Sequence, residues 1–499
     1  MALKIVEKLL NDFNSCDINY CHWKSNEHLD AAINGDTDLD ILFEVSQKKN
    51  VIEILERNNF HLFEAVWYRK YSGIVDYIGF DKEKGKIVHV HTHFKLDIGE
   101  VGIKSYHLPW ESLILHHKHF DPNFNIYKSS PEIEYLLLIV RTAFKHDLTD
   151  TKINQKIAKH FELEAKWLYN QVDFEKLKSI SLEILDDKIT FLVEEIRFKE
   201  RYDEKLFVSL KKLLQPFFSK DRILSPTRVV FLKVVHLVKR LQVKCLRLLK
   251  FPIRVSKRSL PHEGIIVCLM GSDGAGKSTQ TKEITQELSK KVDTLFMYMG
   301  SGNGSKSLQR EIIDTIISFG IKKRKSSNKL KSNTDKETSS TDISKKGLFR
   351  QFVISLRAVS LAYEKKNRLN RIYKEKKSGK IIICDRYPQT SILGYNDSPR
   401  LYSNIKSTNI ILRAMAKYEF SCYEKSKEIY PDLVIKLIGS IEVLHKRRPE
   451  MTIDEINKKQ NGIINLPFDF PTEVLTIDID RPIHEIKGDI LYALSQKIK

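Results

Sequence analysis

Residues 271–278 read Gly-Ser-Asp-Gly-Ala-Gly-Lys-Ser, the GxxxxGK[ST] spacing of a phosphate-binding loop. Glycines let backbone N–H groups turn inward around phosphate oxygens. At this spacing Lys277 reaches the β- and γ-phosphates and the Ser278 hydroxyl takes a Mg²⁺ ion. The apolar run 265–270 before the loop predicts a buried parallel strand. The predicted helix 279–289 after it turns its positive end toward the same anion. A glycine-rich turn matching by chance has neither flank. The expectation is binding of ATP and Mg²⁺ through Gly271, Asp273, Gly274, Ala275, Gly276, Lys277, Ser278 and Thr279.

Three further sets of residues have types and spacings that do chemistry. Residues 380–387 (KIIICDRY) predict a buried strand ending in Asp385, the usual position for a Mg²⁺ ligand or substrate contact beside such a loop. Lys446, Arg447 and Arg448 follow another apolar strand within 431–439 and either close on phosphates or form a solvated helix end. Asp38 and Asp40 sit at i and i+2 on a predicted strand, 37–43, so both carboxylates leave one face. Two adjacent acids repel, and a divalent cation is their natural third partner. His89, His91 and His93 alternate along the predicted strand 87–94. A half-buried, hydrogen-bonded face is the favoured reading of that alternation over a metal cluster.

The elements that must position these groups follow from length and composition. At about 150 residues per domain, 499 residues make roughly three domains. No apolar run reaches the roughly 18–20 residues of a membrane span, and residues 1–15 predict an amphipathic helix rather than a signal peptide. The six cysteines form no CxxC pair, which fits reduced thiols in a cytoplasm. The predicted architecture is α/β throughout: a first α/β unit over 1–128, a helical lobe over 129–205, a basic helical linker over 206–260 and a parallel-sheet unit over 262–499. The net charge of +20 is concentrated, with 14 Lys/Arg and one acid, Asp221, between residues 211 and 258. Over 229–251, at 100° per residue, Lys233, His236, Arg240, Lys244 and Arg247 face opposite Val230, Val234, Leu237 and Leu241. That pattern favours a helix lying on an anionic membrane surface over one packed on other domains. Aromatic interleaving is sparse and no nucleic-acid module is present, so no specific nucleic-acid partner is expected. A tract with almost no large apolar residues, 321–346, reads as a disordered insertion. A long basic helix over 349–375 follows it.

The combination of DGAGKST with the later DRY, and then PDLVIKL and IEVLHKRR, resembles the thymidylate kinase family of nucleoside-monophosphate kinases over residues 262–499. The resemblance implies that Gly271, Gly274, Gly276, Lys277, Ser278 and Thr279 bind ATP and Mg²⁺. It further implies that Asp385 and Arg386 contact acceptor and metal, that Asp273 contacts the acceptor, and that Arg447 or Arg448 begins a lid. The family's arginine-bearing segment after its second strand is replaced here by 298–304, Tyr-Met-Gly-Ser-Gly-Asn-Gly, which argues against ordinary thymidylate as acceptor. The first unit resembles the nucleotidyltransferase superfamily. Asp38 and Asp40 stand as its metal-binding acid pair, Lys24 replaces an expected glycine, and Asp97 is a fallback third acid. Together the two resemblances point to bacterial proteins of surface-polysaccharide biosynthesis. Combined with the basic amphipathic helix, they imply a cytoplasmic kinase, peripheral at the inner membrane, acting on an anionic small-molecule, glycan or glycolipid acceptor, and they leave a second, nucleotidyltransferase site open in the first unit. A dTMP-type kinase, an ATP-dependent regulatory or defence protein and a polyanion-binding scaffold are the competing readings.

Overall fold

The structure is a computed structural model that describes residues 2–147, 150–198, 201–249, 257–300, 340–393 and 397–498. The chain divides into two units, Met1–Pro261 and His262–Ile498.

Alternation of apolar and polar residues builds the first unit's sheet. Its strands are β1 (Tyr20–His22), β2 (Asp38–Phe43), β3 (Phe60–Ala65), β4 (Ile74–Asp81) and β5 (Lys86–His93). After a two-stranded ribbon, β6 (Asp97–Ile98) with β7 (Tyr106–His107), come β8 (Lys118–Asp121), β9 (Ile126–Ser129) and β10 (Arg258–Ser259). The sheet order is β10-β3-β4-β5-β2-β1-β9-β8. Leu39, Ile41 and Phe43 of β2 and Val88 and Val90 of β5 pack on one face against Val6, Leu9, Phe13 and Leu55. With a side-chain period of two, Asp38, Asp40, His89, His91 and His93 must then leave the other face. Parallel pairing sets Asp38 opposite His89 and Asp40 opposite His91, and antiparallel pairing sets Asp76 of β4 on the far side of His91.

The predicted helices 151–160 and 162–169 form one continuous helix, Thr151–Tyr169. The stretch expected as a basic linker contains two helices, Glu204–Phe217 and Pro226–Leu248, and then β10, which pairs with β3 and so belongs to the first unit's sheet. The Asp203 carboxylate starts the first of these by accepting the backbone N–H groups of Lys205 and Leu206. At the centre of the lobe lies Pro131–Lys145, with Pro131 at its first turn and Ser130 capping it through Ile133. Nearly every residue of that helix is buried, as expected of one surrounded by others.

In the second unit β11 (Ile265–Gly271) is buried along its whole length, since an all-parallel sheet is covered on both faces. It lies centrally in a five-stranded parallel sheet with β12 (Thr294–Tyr298), β13 (Ile381–Asp385), β14 (Leu433–Ile438) and β15 (Glu473–Asp478), in the order β12-β13-β11-β14-β15. Leu369 and Ile372, from a helix running Ser340–Lys377, pack on Cys268, Ile382 and Cys384. That helix begins earlier than the sequence suggests. Its first residues, Ser340, Thr341 and Asp342, are polar types favoured at helix starts, so low hydrophobicity there does not mean absence of structure. Residues 321–339 of the expected insertion, and 301–304 of the glycine-rich turn, lie outside the described residues.

Candidate functional site

In the second unit β11 runs into a loop whose Gly274 (φ +90°) and Gly276 (φ +81°) occupy the left-handed region that side-chain-bearing residues avoid. Gly276 caps the helix Lys277–Leu288, so the free N–H groups of that helix open onto the loop. Lys277 is buried and its Nζ donates to the Ser272 carbonyl at 2.7 Å. Burial, reinforced by Arg386, pushes its ammonium down to about 8.

Register carries Asp385 to the same place. Leu269 of β11 pairs with Asp385 at the end of β13. The Ser278 hydroxyl donates to Asp385 Oδ2 at 2.7 Å, while the buried Oδ1 has no hydrogen-bond partner. The Ser278 hydroxyl and the Asp385 carboxylate, one of whose oxygens is orphaned, form a donor set that fits a hydrated Mg²⁺ ion. Arg386, the next residue, is held at φ +70° and donates to Asp273 Oδ1 at 2.9 Å. Lys459 donates to the other Asp273 oxygen at 2.8 Å. Burial alone would raise Asp273, but these two cations hold its carboxyl down at about 2. Arg447 reaches the Gly274 carbonyl at 3.2 Å.

These groups border one cavity of about 430 Å³, lined by residues 273–280, Tyr298, Arg386, Arg447 and Arg448, with Ile479, Ile483 and Ile486 as an apolar wall. The sequence-predicted residues Asp273, Gly274, Ala275, Gly276, Lys277, Ser278, Thr279, Arg386 and Arg447 thus come together, with Asp385 joined to them through Ser278. Gly271 ends β11 just below them, where a Cβ would lie 2.9 Å from the Leu437 carbonyl. Lys459 and the isoleucine wall were not foreseen, because they arrive from elements far along the chain.

In the first unit Asp38 and Asp40 do lie together, but in a network of ion pairs. His89 bridges Asp38 (2.7 Å) and Asp76 (2.8 Å). His91 Nδ1 and His93 Nε2 both approach Asp40 Oδ1 at 3.1 Å. Lys24 Nζ takes Asp40 Oδ2 at 2.7 Å, and Arg258 Nε pairs with Asp76 at 2.9 Å. Despite its burial, Asp40 is held well below the usual carboxylate range by Lys24 and the two imidazoles. Lys24 takes one oxygen of Asp40, while Asp38 with His89 and His91, and Asp40 with His91 and His93, each bring three ligand atoms within 4.8 Å of one another, as a metal ion would need. Asp76 and Arg258 are the residues the sequence reading missed. Asp97 is not part of the network and accepts the Gly73 N–H instead.

The helix Pro226–Leu248 also differs from its sequence picture. Val229 and Leu232 are buried against Ile103, and Lys233 and Arg240 point at Asp147 (3.6 Å) and Asp150 (3.4 Å). The apolar residues Val230, Val234, Leu237, Val238 and Leu241 are each about half exposed. Part of the basic face therefore turns inward, and the apolar face is the one left uncovered. The side chain of Arg247 lies outside the described residues.

No family model matches the chain. The "Uncharacterized ATP-binding protein YghR" of Escherichia coli (strain K12) is 25% identical over 233 residues, covering 46% of this chain and 86% of its own length. The "Uncharacterized ATP-binding protein YghS" of the same strain is 24% identical over 230 residues, covering 46% and 92%. A solved thymidylate kinase of Candida albicans aligns with 47% of this chain and 92% of its own, at 14% identity and a TM-score of 0.25, too low a score to carry an argument. No described helix is long and apolar enough to cross a membrane.

Beside the first unit's acid pair, the buried Glu134 accepts both the backbone N–H of Asn26 (2.8 Å) and its side-chain amide (2.7 Å). Burial, with Glu164 and Glu27 adding like charge, pushes its carboxyl up to about 8 from 4.5. The folded state therefore binds a proton that the unfolded state has lost, and Glu134 makes stability fall as pH rises from 4.5 through about 8. In denaturant unfolding the stability of the native chain relative to Glu134→Leu will fall as pH rises across that window, His91 acting alike in both proteins. Equal slopes in the two proteins would contradict the assignment.

Proposed function

We propose that the unit His262–Ile498 is an ATP-dependent phosphotransferase acting on an anionic or glycan acceptor. The observation that carries this is the convergence of Lys277, the Ser278–Asp385 pair, Arg386 and Arg447 around one cavity under the glycine loop. Amide groups at the start of the helix Lys277–Leu288 hold the phosphates of ATP. Lys277 releases Ser272 and turns to the phosphate charge. Ser278 and Asp385 hold Mg²⁺, which when bound neutralises charge developing on the phosphoryl oxygens. Arg386 and Arg447 add positive charge at the same place. Asp273, steered by Arg386 and Lys459, faces the acceptor. The acceptor oxygen bonds to the γ-phosphorus as the bond to the ADP oxygen breaks, and the acceptor's proton leaves to solvent. The ATP-binding names of the Escherichia coli relatives support the donor.

The acceptor reading rests on the end of β12. Tyr298 is followed by Met299 and Gly300, so the segment 298–300 itself carries no cation, although Arg368 reaches the Tyr298 carbonyl and Arg386 lies against Gly300. A Cβ on Gly300 would lie 2.4 Å from the Tyr298 hydroxyl and 3.1 Å from Arg386, so the chain is close-packed there against the site. In the same reading the uncovered apolar face of the helix Pro226–Leu248, flanked by Lys239 and Lys244, lies on an anionic membrane surface.

Two outcomes are expected. ADP release by the purified chain will be faster with sugar or glycolipid acceptors than with dTMP, and Lys277→Ala or Asp385→Ala will lower kcat by ~100-fold or more. Robust dTMP turnover would overturn the acceptor, and full activity of Lys277→Ala would overturn phosphotransfer. The chain will sediment with phosphatidylglycerol-containing vesicles, and the pair Leu237→Glu and Leu241→Glu will abolish this while leaving soluble-substrate turnover intact. Unchanged sedimentation would remove the membrane role.

A further inference from the structure

Beside the acid-pair network of the first unit lies a separate cavity of about 740 Å³. Its walls come from the loop 100–104, the helices Pro131–Lys145 and Thr151–Tyr169, and the inward side of Pro226–Leu248. That volume is typical of a small-molecule site. Seven Lys and Arg side chains line it against two glutamates, Glu100 and Glu164. Neither glutamate forms an ion pair with Lys104, Arg141 or Lys145, although Glu164 partly opposes the lowering of Lys145. Glu100 accepts the Ser105 hydroxyl at 2.6 Å, and Glu164 is drawn into a cluster with Glu27 and Glu134 whose oxygens lie within 4.8 Å of one another.

Lys104, Arg141 and Lys145 form the inner part of this lining. Among the described residues none of the three has a carboxylate within ion-pair distance, and the buried Nη1 of Arg141 has no hydrogen-bond partner. Arg141 instead lies over the Trp23 ring, with its guanidinium carbon 5.4 Å from the ring centroid. Clustered like charges without counterions strain the empty site. Arg141 and burial hold the Lys145 ammonium well below its ordinary range, and burial with Lys24 and Arg141 lowers Lys104 to about 7. Leu138, from the same helix face as Arg141 and Lys145, and Ile157 and Phe161 of the helix Thr151–Tyr169 add apolar lining and are nearly fully buried.

We infer that the first unit binds a phosphorylated small molecule in this cavity, its phosphate on Lys104, Arg141 and Lys145 and its remainder against Leu138, Ile157 and Phe161. A guanidinium fork with two ammonium groups matches a phosphate dianion better than a single carboxylate. A second cavity of about 370 Å³ shares Arg141, Lys145, His160 and Glu164 with the first and continues to Lys24, Asp38 and Asp40. The bound phosphate therefore sits between the larger cavity and the acid pair. This site stands apart from the glycine loop of the second unit and does not depend on the phosphotransfer reading.

The test uses the full chain carrying Lys277→Ala, so that the glycine loop contributes little. Melting temperature is followed against inorganic pyrophosphate, a hexose phosphate and short-chain phosphatidic acid, with sodium chloride matched for ionic strength. A phosphate-bearing probe should raise the melting temperature, and an organic phosphate should do so at ~10-fold lower concentration than pyrophosphate because it also covers the apolar lining. Whether the sugar or the lipid phosphate acts more strongly identifies the source of the ligand. Adding Arg141→Met or Lys145→Met should abolish the shift, and Lys145→Met should raise the melting temperature of the ligand-free protein by removing an unpaired buried charge. No shift with any probe, a shift that survives both substitutions, or a ligand-free protein made less stable by Lys145→Met would each overturn the inference.

Discussion

The site of the second unit depends on one hydrogen bond, from the Ser278 hydroxyl to Asp385. The two residues are 107 apart in sequence and meet because β11 and β13 are parallel neighbours in register. In a parallel sheet all strands end on the same edge, so a loop leaving one strand and an acid closing the next are brought side by side by topology alone. The glycines let the loop fold back over that edge, and the helix after it aims its N–H groups at the space enclosed. Arg386, held in a left-handed backbone conformation just past Asp385, is thereby turned toward Asp273. Acid, hydroxyl and arginine are positioned by backbone geometry before any ligand arrives, while Lys277 rests on the Ser272 carbonyl.

The first unit solves a different electrostatic problem. Three aspartates and three histidines share one sheet face, and Lys24 and Arg258 complete the charge balance. Every acid there already has a cation or an imidazole. A few ångströms away the imbalance is reversed, where Lys104, Arg141 and Lys145 line a cavity without counterions. A folded chain tolerates unpaired buried charge only at a cost of several kcal/mol per ion in unfavourable cases. The contrast between a fully paired network and an unpaired one within the same unit is the physical basis for assigning a ligand to the second.

How much of this is legible in the sequence varies with the range of the interaction. The phosphate-binding loop and the strand ending in Asp385 are local patterns whose chemistry is written in adjacent residues. The strand Ile74–Asp81 gives no comparable signal, since Gly79 interrupts its apolar alternation. The structure explains Gly79, because the Phe60 ring lies 2.5 Å from where a Cβ would stand. Asp76 was missed with that strand. Arg258 and Lys459 meet their partners across 182 and 186 residues, and no periodicity reports such contacts. The helical wheel of 229–251 separated basic from apolar residues correctly but held no information on which side would turn inward. Burial of Val229 and Leu232 against Ile103 sets that side, and Asp147 and Asp150 meet Lys233 and Arg240 at its exposed margin.

The central claim is that Asp385 and Ser278 form a Mg²⁺-dependent ATP site with the glycine loop. Calorimetric titration of ATP into the full chain, with and without Mg²⁺, compared between the native protein and Asp385→Asn, tests it most directly. The account predicts that Mg²⁺ tightens ATP binding to the native chain by ~10-fold or more and that this dependence is lost in Asp385→Asn. An equal Mg²⁺ dependence in both proteins, or no binding of ATP to the native chain, would contradict it.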